Sequence, residues 1–408
     1  MEDLARKTHL NIAIIHPDLG IGGAERLIVD AGVQLASYGH DVKVFTAHHD
    51  RKRCFEETTS CFPVFVYGSF LPRHVFYRFH ALCAYVRCIF VAICMLLAWP
   101  SFDVVLADQV SVVIPLLKLK RKTKVVFYCH FPDLLLAQHT TPIRRLYRKP
   151  IDKLEEMTTG MADTILVNSR FTASTFAKTF KSLNNRGVRP SVLYPAVNVQ
   201  QFNEPDSLQL NYLSINRFER KKNIELAISA FGQLVRYAKN ASQLSQIADA
   251  TLTIAGGYDQ RLKENVEYLE ELKTLSRTEG VSDRINFLTS CSTAERNRLL
   301  SECLCVIYTP KEEHFGIVPL EAMAAHKPVI ACNSGGPVET VQHEVTGFLC
   351  DPNPEAFCLA MAKLIQDPAL AKRMGSAARK HVSESFSTTS FGRSLNDNVL
   401  NIVGHKME

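Results

Sequence analysis

The sequence lacks the patterns that mark several common classes of metal-binding and secreted proteins. It contains no Asp-x-Asp pair, and its histidines and cysteines do not cluster at the spacings of zinc ligands. Its 12 cysteines form no Cys-x-x-Cys pair and no compact framework, and many lie in apolar runs, where cysteine behaves as a small hydrophobe. We therefore expect a reducing compartment, chemistry that needs no metal, and no cofactor.

Two further absences bear on targeting and on partners. Residues 1–9 carry charges without the apolar stretch of a secretory signal, so a cleaved signal is not expected. The net charge of +6 is modest, and the basic clusters at 51–53, 118–124 and 144–149 form no dense stripe, which argues against a nucleic-acid partner. These clusters are either solvated helix faces or surfaces that attract anionic lipid or a pyrophosphate group.

Apolar runs typical of strands alternate with helical stretches along the chain, which indicates a parallel α/β architecture. A chain of 408 residues exceeds the usual size of one core, so we expect two domains of roughly 200 residues each. The predicted strands are residues 10–16, 41–46, 102–107, 124–128 and 164–167 in the first half, and 213–216, 251–255, 284–288, 305–308 and 328–331 in the second.

The pattern changes around residues 191–202, where a strand ends and a polar stretch follows. The predicted domains are therefore 1–200 and 201–408, each a Rossmann-like, doubly wound domain. Residues 355–403 are predicted to be helical and to close the second domain, with the last helix a candidate to cross back toward the first.

Residues 81–99 form an almost wholly apolar segment, close to the ~20 residues that a helix needs to span a bilayer. Arg87 lies within it, and an arginine at the bilayer centre costs roughly 2.5–3.5 kcal/mol. A span would also separate the strand at 102–107 from the strand at 10–16 in the same sheet. We expect a helix that lies in the membrane face, with interfacial anchors at Arg73, His74, Arg78 and Trp99; an ordinary buried helix is the alternative.

The strongest signal for chemistry is a pair of glutamates, Glu313 and Glu321, separated by seven residues. They follow a predicted strand, and Pro319 between them suits the first turn of a helix, where its missing N–H needs no partner. Glu321 is predicted to accept hydrogen bonds from ribose hydroxyls, and Glu313 to lie near a bound sugar. The alternative is a solvated acidic loop with a glutamate placed at the helix dipole.

The segment between the glutamates contains three residues whose backbone is predicted to bind phosphate. Gly316, Ile317 and Val318 are expected to form a loop between strand and helix, with N–H groups that point outward. Upstream, Arg217 and Lys222 follow the first strand of the second domain. Cations fixed there would stabilise the negative charge that a nucleoside diphosphate gains as it leaves.

Two candidate sites lie in the first domain. Gly22 and Gly23 occupy a turn from strand to helix, where glycines allow a phosphate or a sugar to approach the backbone closely. His130 follows a strand at the carboxyl edge of the sheet, where ligands of doubly wound sheets bind. A structural Gly-Gly turn and an ordinary loop histidine are equally open alternatives from position alone.

Together these residues resemble the retaining GT-B glycosyltransferases, whose signature is a Glu-x7-Glu element with an upstream Arg-x4-Lys. The resemblance covers nearly the whole chain. It is closest to the bifunctional alpha-1,3/alpha-1,6-mannosyltransferases of dolichol-linked oligosaccharide assembly at five segments of the sequence, which are residues 16–26, 128–133, 159–163, 255–259 and 312–323.

This resemblance implies a GT-B fold of two Rossmann-like domains that face each other across a cleft. It implies GDP-mannose as donor, a dolichol-pyrophosphate-linked oligosaccharide as acceptor, retention by front-face attack, and the cytosolic face of the endoplasmic reticulum membrane. By motif correspondence, Arg217 and Lys222 hold the diphosphate, Glu321 the ribose, Glu313 the mannose, and His130 the sugar from the other domain. Other mannosyltransferases are candidate partners.

Two alternatives remain at the level of the sequence. The chain could be a GT-B transferase for another nucleotide sugar and lipid acceptor, because the base pocket is not readable. It could also be a non-catalytic scaffold in a mannosyltransferase complex, although the intact Glu313, Arg217 and Lys222 argue against that.

Overall fold

The computed structural model describes residues 9–74, 79–136, 142–204, 209–240, 247 and 249–404, and the chain divides into two compact units. The first unit comprises Met1–Ala196 together with Thr388–Glu408, and the second comprises Val197–Ser387. The division between the units falls close to the position expected from the sequence, but the last segment of the chain belongs to the first unit.

The first unit is built on a parallel sheet of seven strands in the order β3-β2-β1-β4-β5-β6-β7. Its strands are β1 (Asn11–His16), β2 (Asp41–Thr46), β3 (Val64–Val66), β4 (Val104–Asp108), β5 (Lys124–Cys129), β6 (Thr164–Val167) and β7 (Ser191–Val192). Its helices are α1 (Gly23–Ser37), α2 (Glu57–Ser60), α3 (His80–Ala98), α4 (Ile114–Leu117), α5 (Asp133–Leu136), α6 (Pro142–Thr159), α7 (Arg170–Thr179) and α8 (Lys181–Asn185).

The second unit contains a parallel sheet of six strands in the order β10-β9-β8-β11-β12-β13. Its strands are β8 (Asn211–Ile215), β9 (Thr251–Gly256), β10 (Ile285–Thr289), β11 (Cys305–Tyr308), β12 (Val329–Cys332) and β13 (Gly347–Cys350). Its helices are α9 (Glu225–Asn240), α10 (Lys263–Thr278), α11 (Thr293–Glu302), α12 (Ile317–Ala324), α13 (Pro337–Thr340), α14 (Pro354–Gln366) and α15 (Pro368–Ser385); α16 (Thr388–Gly404) then returns to the first unit.

The strand orders explain why the central strands are apolar along their whole length. In each sheet helices cover both faces, so β1, β4 and β5 are buried on both sides. In the first unit α3 and α4 contribute to the core on one face, and α1 and α16 to the core on the other. In each sheet the order in which strands are added reverses between two adjacent parallel strands, which are β1 and β4 in the first sheet and β8 and β11 in the second. Ligands of doubly wound sheets bind at such points.

The predicted α/β architecture is confirmed, and each predicted strand is found with small shifts at its ends. The sequence interpretation missed two short strands, β3 and β13. The predicted helical stretch at 355–403 consists of three helices, and its last, α16, packs against α1 of the first unit.

The apolar segment predicted at 81–99 forms helix α3, and its arginine is buried within the protein. Arg87 contacts Asp18 at 3.5 Å, and Arg73 pairs with the same carboxylate at 3.2 Å. Trp99, a proposed interfacial anchor, lies half-buried directly after the last residue of the helix. Its indole N–H donates to the Tyr67 hydroxyl at 3.0 Å, and its ring meets Phe65 edge-on with centroids 4.4 Å apart. Arg78, another proposed anchor, lies outside the described residues.

Candidate functional site

The candidate residues of the second unit stand on two loops that follow neighbouring strands. Lys222 closes a short 3-10 turn after β8, and Glu313 lies in the loop between β11 and α12. Because β8 and β11 are adjacent and parallel, their carboxyl ends bring these loops together at the point where the strand order reverses.

Lys222 and Glu313, 91 residues apart in the sequence, form a mostly buried ion pair in which the ammonium donates to Glu313 Oε2. Burial alone would raise the pKa of Glu313, but the charge of Lys222 and the hydrogen bonds from Lys222 and Tyr308 hold that pKa below its usual value. Glu313 is therefore a carboxylate at neutral pH, with a cation fixed beside it.

Backbone contacts hold the two loops in place. Thr309 donates through Oγ1 to the carbonyl of Lys222 at 2.8 Å, and the N–H of Gly336 donates to the carbonyl of Glu313 at 2.8 Å. A Cβ atom at Gly336 would stand 2.0 Å from the carbonyl oxygen of Phe315, so only glycine allows this approach. The sequence interpretation did not single out Gly336, although the Gly-Gly-Pro run after a buried strand was available as a signal.

The predicted phosphate-binding segment is placed at the start of α12. Gly316 precedes the helix with φ 87°, a left-handed conformation that favours glycine. Ile317 and Val318, predicted to lie in a loop, are already the first two helical residues. The first N–H groups of a helix have no partner within it, so the binding of an anion here stays a prediction, with a loop shorter than expected.

Glu321 lies one turn further into α12 and is buried beside Arg296, whose guanidinium approaches Glu321 Oε1 at 3.1 Å. Burial raises the pKa of Glu321, and Arg296 opposes that shift. The two glutamates of the motif therefore have different environments, one beside a lysine and one beside an arginine. Arg296 was not predicted, because nothing in its local sequence distinguishes it from a solvated helix residue.

Arg217 pairs with a different carboxylate from the one that Lys222 contacts. Its side chain is 62% exposed and pairs with Glu219 at 2.9 Å. The predicted Arg-x4-Lys element is therefore split into a buried lysine and an exposed arginine.

In the first unit, His130 follows β5, and its Nε2 atom lies 2.8 Å from Oδ1 of Asp108, the last residue of β4. The other oxygen of Asp108 lies 2.7 Å from Nδ1 of His16, and Glu25 approaches His16 Nε2 at 3.9 Å. The interpretation missed Asp108, since the predicted strand stopped at the residue before it. The rule that ligands bind at carboxyl ends of strands would have indicated it.

The two predicted glycines of the first unit have different surroundings. Gly22 directly precedes α1, and a Cβ atom there would collide with the carboxylate of Glu25, 2.2 Å away. Gly23 is the first residue of α1 rather than part of the turn, and a Cβ atom there would meet no atom within 4 Å. A side chain at position 22 would therefore displace the end of the Glu25 side chain, whereas the space beside Gly23 is open.

Comparisons with known proteins agree with this arrangement. The model of Glycosyltransferase Family 4 matches residues 21–201, and that of Glycosyl transferases group 1 matches residues 199–381. The solved structure of sucrose-phosphate synthase from Thermosynechococcus elongatus aligns with a TM-score of 0.75 at 20% identity, over 97% of this chain and 100% of that one. These matches confirm the predicted GT-B fold and a glycosyltransferase enzyme.

Curated relatives are similar over nearly the whole chain. The alpha-1,3/1,6-mannosyltransferase ALG2 of Mus musculus is 47% identical over 407 residues, which cover 96% of each chain. The protein of the same name from Homo sapiens is 48% identical over 399 residues, which cover 94% of each chain. The chain therefore belongs to the family of alpha-1,3/1,6-mannosyltransferases.

Proposed function

We propose that this protein adds alpha-1,3- and alpha-1,6-linked mannose from GDP-mannose to a mannosyl-chitobiose carried on dolichol pyrophosphate, with retention of anomeric configuration and without a metal. The relatives named above support the transfer of mannose with these two linkages. The donor, the retaining course and the lipid acceptor rest on the motif residues and on the chemistry that their geometry allows.

The observation that carries this proposal is the buried Lys222–Glu313 pair at the carboxyl edge of the second sheet. An ammonium group has three donors, so Lys222 can bind a diphosphate oxygen while it stays bonded to Glu313. As the glycosidic bond breaks, negative charge grows on that oxygen, and a cation already in place stabilises the transition state more than the ground state. The departing oxygen then accepts the proton of the attacking hydroxyl.

The other candidate residues have roles that fit their positions. The N–H groups of Ile317 and Val318 bind the diphosphate at the start of α12, where the helix dipole favours an anion. Glu321, held by Arg296, accepts hydrogen bonds from the ribose, and Glu313 from the mannose hydroxyls. Arg217, exposed after β8, reaches the diphosphate by leaving Glu219, and His130 binds the sugar from the first unit.

We further propose that α3 attaches the protein to the cytosolic surface of the endoplasmic reticulum membrane. Among the described residues one helix, α3, is long and apolar enough to cross a membrane, a test that core helices of soluble proteins also pass. One side of α3 packs into the core of the first unit. Leu82, Val86, Ile93 and Leu97 are exposed on the helix, which suits a helix lying in the interface better than one that spans it.

The proposal is tested with purified protein, GDP-mannose and a defined lipid-linked acceptor, with the linkages of the products determined. We expect both linkages, no loss of activity on chelation, and competition by GDP but not by UDP. In a Lys222→Ala variant we expect turnover to fall by well over tenfold, because a fixed cation on the leaving group contributes several kcal/mol.

Lys221→Ala is the matched control, since Lys221 is the neighbouring lysine on the same turn, is 66% exposed and pairs with Glu219. It should retain most of its activity. Equal losses in the two variants, or a near-normal rate in Lys222→Ala, would show that the pair does not act on the leaving group. Activity that disappears on chelation and returns with magnesium would contradict the metal-free course.

A further inference from the structure

Three adjacent strands of the first sheet end in residues that can exchange protons. His16 is the last residue of β1, Asp108 is the last residue of β4, and His130 directly follows β5. The strands pair in parallel as β1–β4 and β4–β5, so all three residues stand at one edge, beside the reversal of strand order between β1 and β4. Asp108, on the middle strand, lies between the two histidines.

The carboxylate of Asp108 is shared between the two imidazoles, one oxygen to each. Oδ2 lies 2.7 Å from Nδ1 of His16, and Oδ1 lies 2.8 Å from Nε2 of His130. The side chains of Asp108 and His16 are 0% and 1% exposed, whereas that of His130 is 23% exposed. Of these three side chains, only that of His130 reaches the surface, where a ligand can bind.

The backbone of His130 is fixed as well as its ring. Asn168, which follows β6, donates through its side-chain amide to the carbonyl of His130 at 3.0 Å. The ring packs at 4.8 Å, centroid to centroid, against that of Tyr128, which is buried in β5. Contacts from β5 and from the residue after β6 thus hold the imidazole in place without a ligand.

The hydrogen bonds of the cluster determine which atoms carry protons. Burial would raise the pKa of Asp108, but His130 and His16 lower it below its usual value, so the group is an ionised carboxylate that only accepts hydrogen bonds. The 2.8 Å contact then requires a proton on Nε2 of His130. In the neutral ring, Nδ1 is left as an acceptor for a hydroxyl group.

We propose that Asp108 is a positioning residue that holds His130 in the tautomer protonated at Nε2, so that Nδ1 accepts a hydrogen bond from a hydroxyl of the bound sugar. This inference rests on the proposed function, in which His130 contacts the sugar, and it adds the atom and the direction of that contact. His16 supports Asp108 from the buried side, and it carries no direct contact with the ligand.

The test compares Asp108→Asn, His130→Ala and the double variant in the assay with GDP-mannose and lipid-linked acceptor. An amide at position 108 can offer its NH2 group to one ring, which destabilises the required tautomer without removing volume. We expect each single variant to lower kcat/KM by roughly tenfold or more, as for a lost ligand hydrogen bond, and the double variant to be no worse than His130→Ala.

Long-range ¹H–¹⁵N spectra of the imidazoles report the tautomer of the His130 ring. A purely structural role of Asp108 would leave this tautomer unchanged. The signals missing from His130→Ala identify His130, and they should report an Nε2–H tautomer in the unmodified protein and a shifted population in Asp108→Asn. Asp30→Asn is the matched control, because Asp30 is a buried carboxylate of the same unit that pairs with Arg26 instead. It should leave the His130 signals unchanged.

Three results would overturn the inference. They are losses of kcat/KM that multiply in the double variant, a near-normal rate in Asp108→Asn, and a His130 tautomer population that is the same in Asp108→Asn as in the unmodified protein. A wild-type rate in His130→Ala would overturn it too, together with the assignment of His130 to the sugar. An unmodified protein that does not use GDP-mannose would instead overturn the proposed function, so the two failures are distinguishable.

Discussion

At the scale of single residues, the environment separates groups that the sequence presents as equivalent. Glu313 and Glu321 belong to one motif, yet the pKa of Glu313 is lowered, since Lys222 outweighs burial, and the pKa of Glu321 is raised by burial that Arg296 only partly offsets. The adjacent lysines Lys221 and Lys222 differ in the same way, because one is exposed and the other is buried against a carboxylate. Within each pair, the effect of the surroundings can therefore be compared for the same type of side chain.

His16 should make the stability of the first unit depend on pH. Burial lowers its pKa, but Asp108 and Glu25 more than offset that effect and raise the pKa from 6.5 to about 9. A raised folded-state pKa stabilises the protein fully below pH 6.5, and this stabilisation is lost as pH rises through about 9. The loss is on the order of 3 kcal/mol, since one pKa unit corresponds to about 1.4 kcal/mol.

The measurement is the unfolding of the unmodified protein and of His16→Asn in urea between pH 6 and pH 10. Because groups that do not interact with His16 titrate equally in both proteins, the difference between the two free energies of unfolding reports His16 together with its interactions with Asp108 and Glu25. That difference should be largest near pH 6 and should shrink toward pH 10. Parallel profiles would show that the pKa of His16 is the same in the folded and the unfolded protein.

At the scale of elements, the sequence predicted those features whose cause is local. The strands β5 and β11 are continuous apolar runs that need burial on both faces, and both were predicted. β3 has only three residues and lies at the edge of the sheet, which is too short for a recognisable pattern. The aromatic contacts of Trp99 were not predicted, because Phe45 and Phe65, which pack against its ring, are distant in the sequence.

In the candidate site too, the sequence predicted the residues of local motifs but not the contacts that depend on strand order. The glutamate pair and Lys222 belong to recognisable motifs, so they were found. The contact between Lys222 and Glu313 depends on the order of β8 and β11 in the sheet, and Asp108 acquires its importance only when β1, β4 and β5 are adjacent. Topology, which the sequence pattern leaves undetermined, is therefore what assembles these residues.

The exposed face of α3 should bind membranes through side chains that contribute little to folding. Val86 and Leu97 are 47% and 83% exposed, so replacing both with glutamate should leave the melting temperature close to that of the unmodified protein. Each apolar side chain that a membrane buries stabilises binding by about 1.5–3 kcal/mol. The double variant should therefore bind phospholipid vesicles more than about tenfold less tightly, as measured by sedimentation.

Leu359→Glu is the control for added charge. Leu359 is exposed on α14 in the second unit, so this variant should bind vesicles as the unmodified protein does. Equal vesicle binding by all three proteins would show that α3 is not the membrane-contacting element.

At the scale of the whole molecule, the chain leaves the first unit, builds the second, and returns to finish the first. Helix α16 places Phe391, Leu395 and Val399 in the same core as residues of α1 and β1. These positions recur every four residues, which is the spacing of one buried face of a helix. The first unit therefore depends on a segment that follows the entire second unit in the sequence.

This arrangement predicts where a substitution in α16 acts. Leu395→Ala removes a buried side chain and should cost about 2–5 kcal/mol, and the cost should fall on the first unit. Hydrogen–deuterium exchange resolves the location, because local opening follows local stability. Amides of α1 should exchange more than about tenfold faster in the variant, whereas those of α9 in the second unit should be unchanged.

Asp397→Ala, at an exposed position on the same helix, should change neither set of amides. The comparison matters because α16 directly follows the second unit in the chain, and a helix that belonged to that unit would transmit the loss of Leu395 to α9. Faster exchange in α9 with an unaffected α1 would mean that α16 completes the second core and that the first unit ends at Ala196. Faster exchange in α1 with an unaffected α9 would instead mean that the first unit needs α16 as well as its N-terminal segment, because the two share one core.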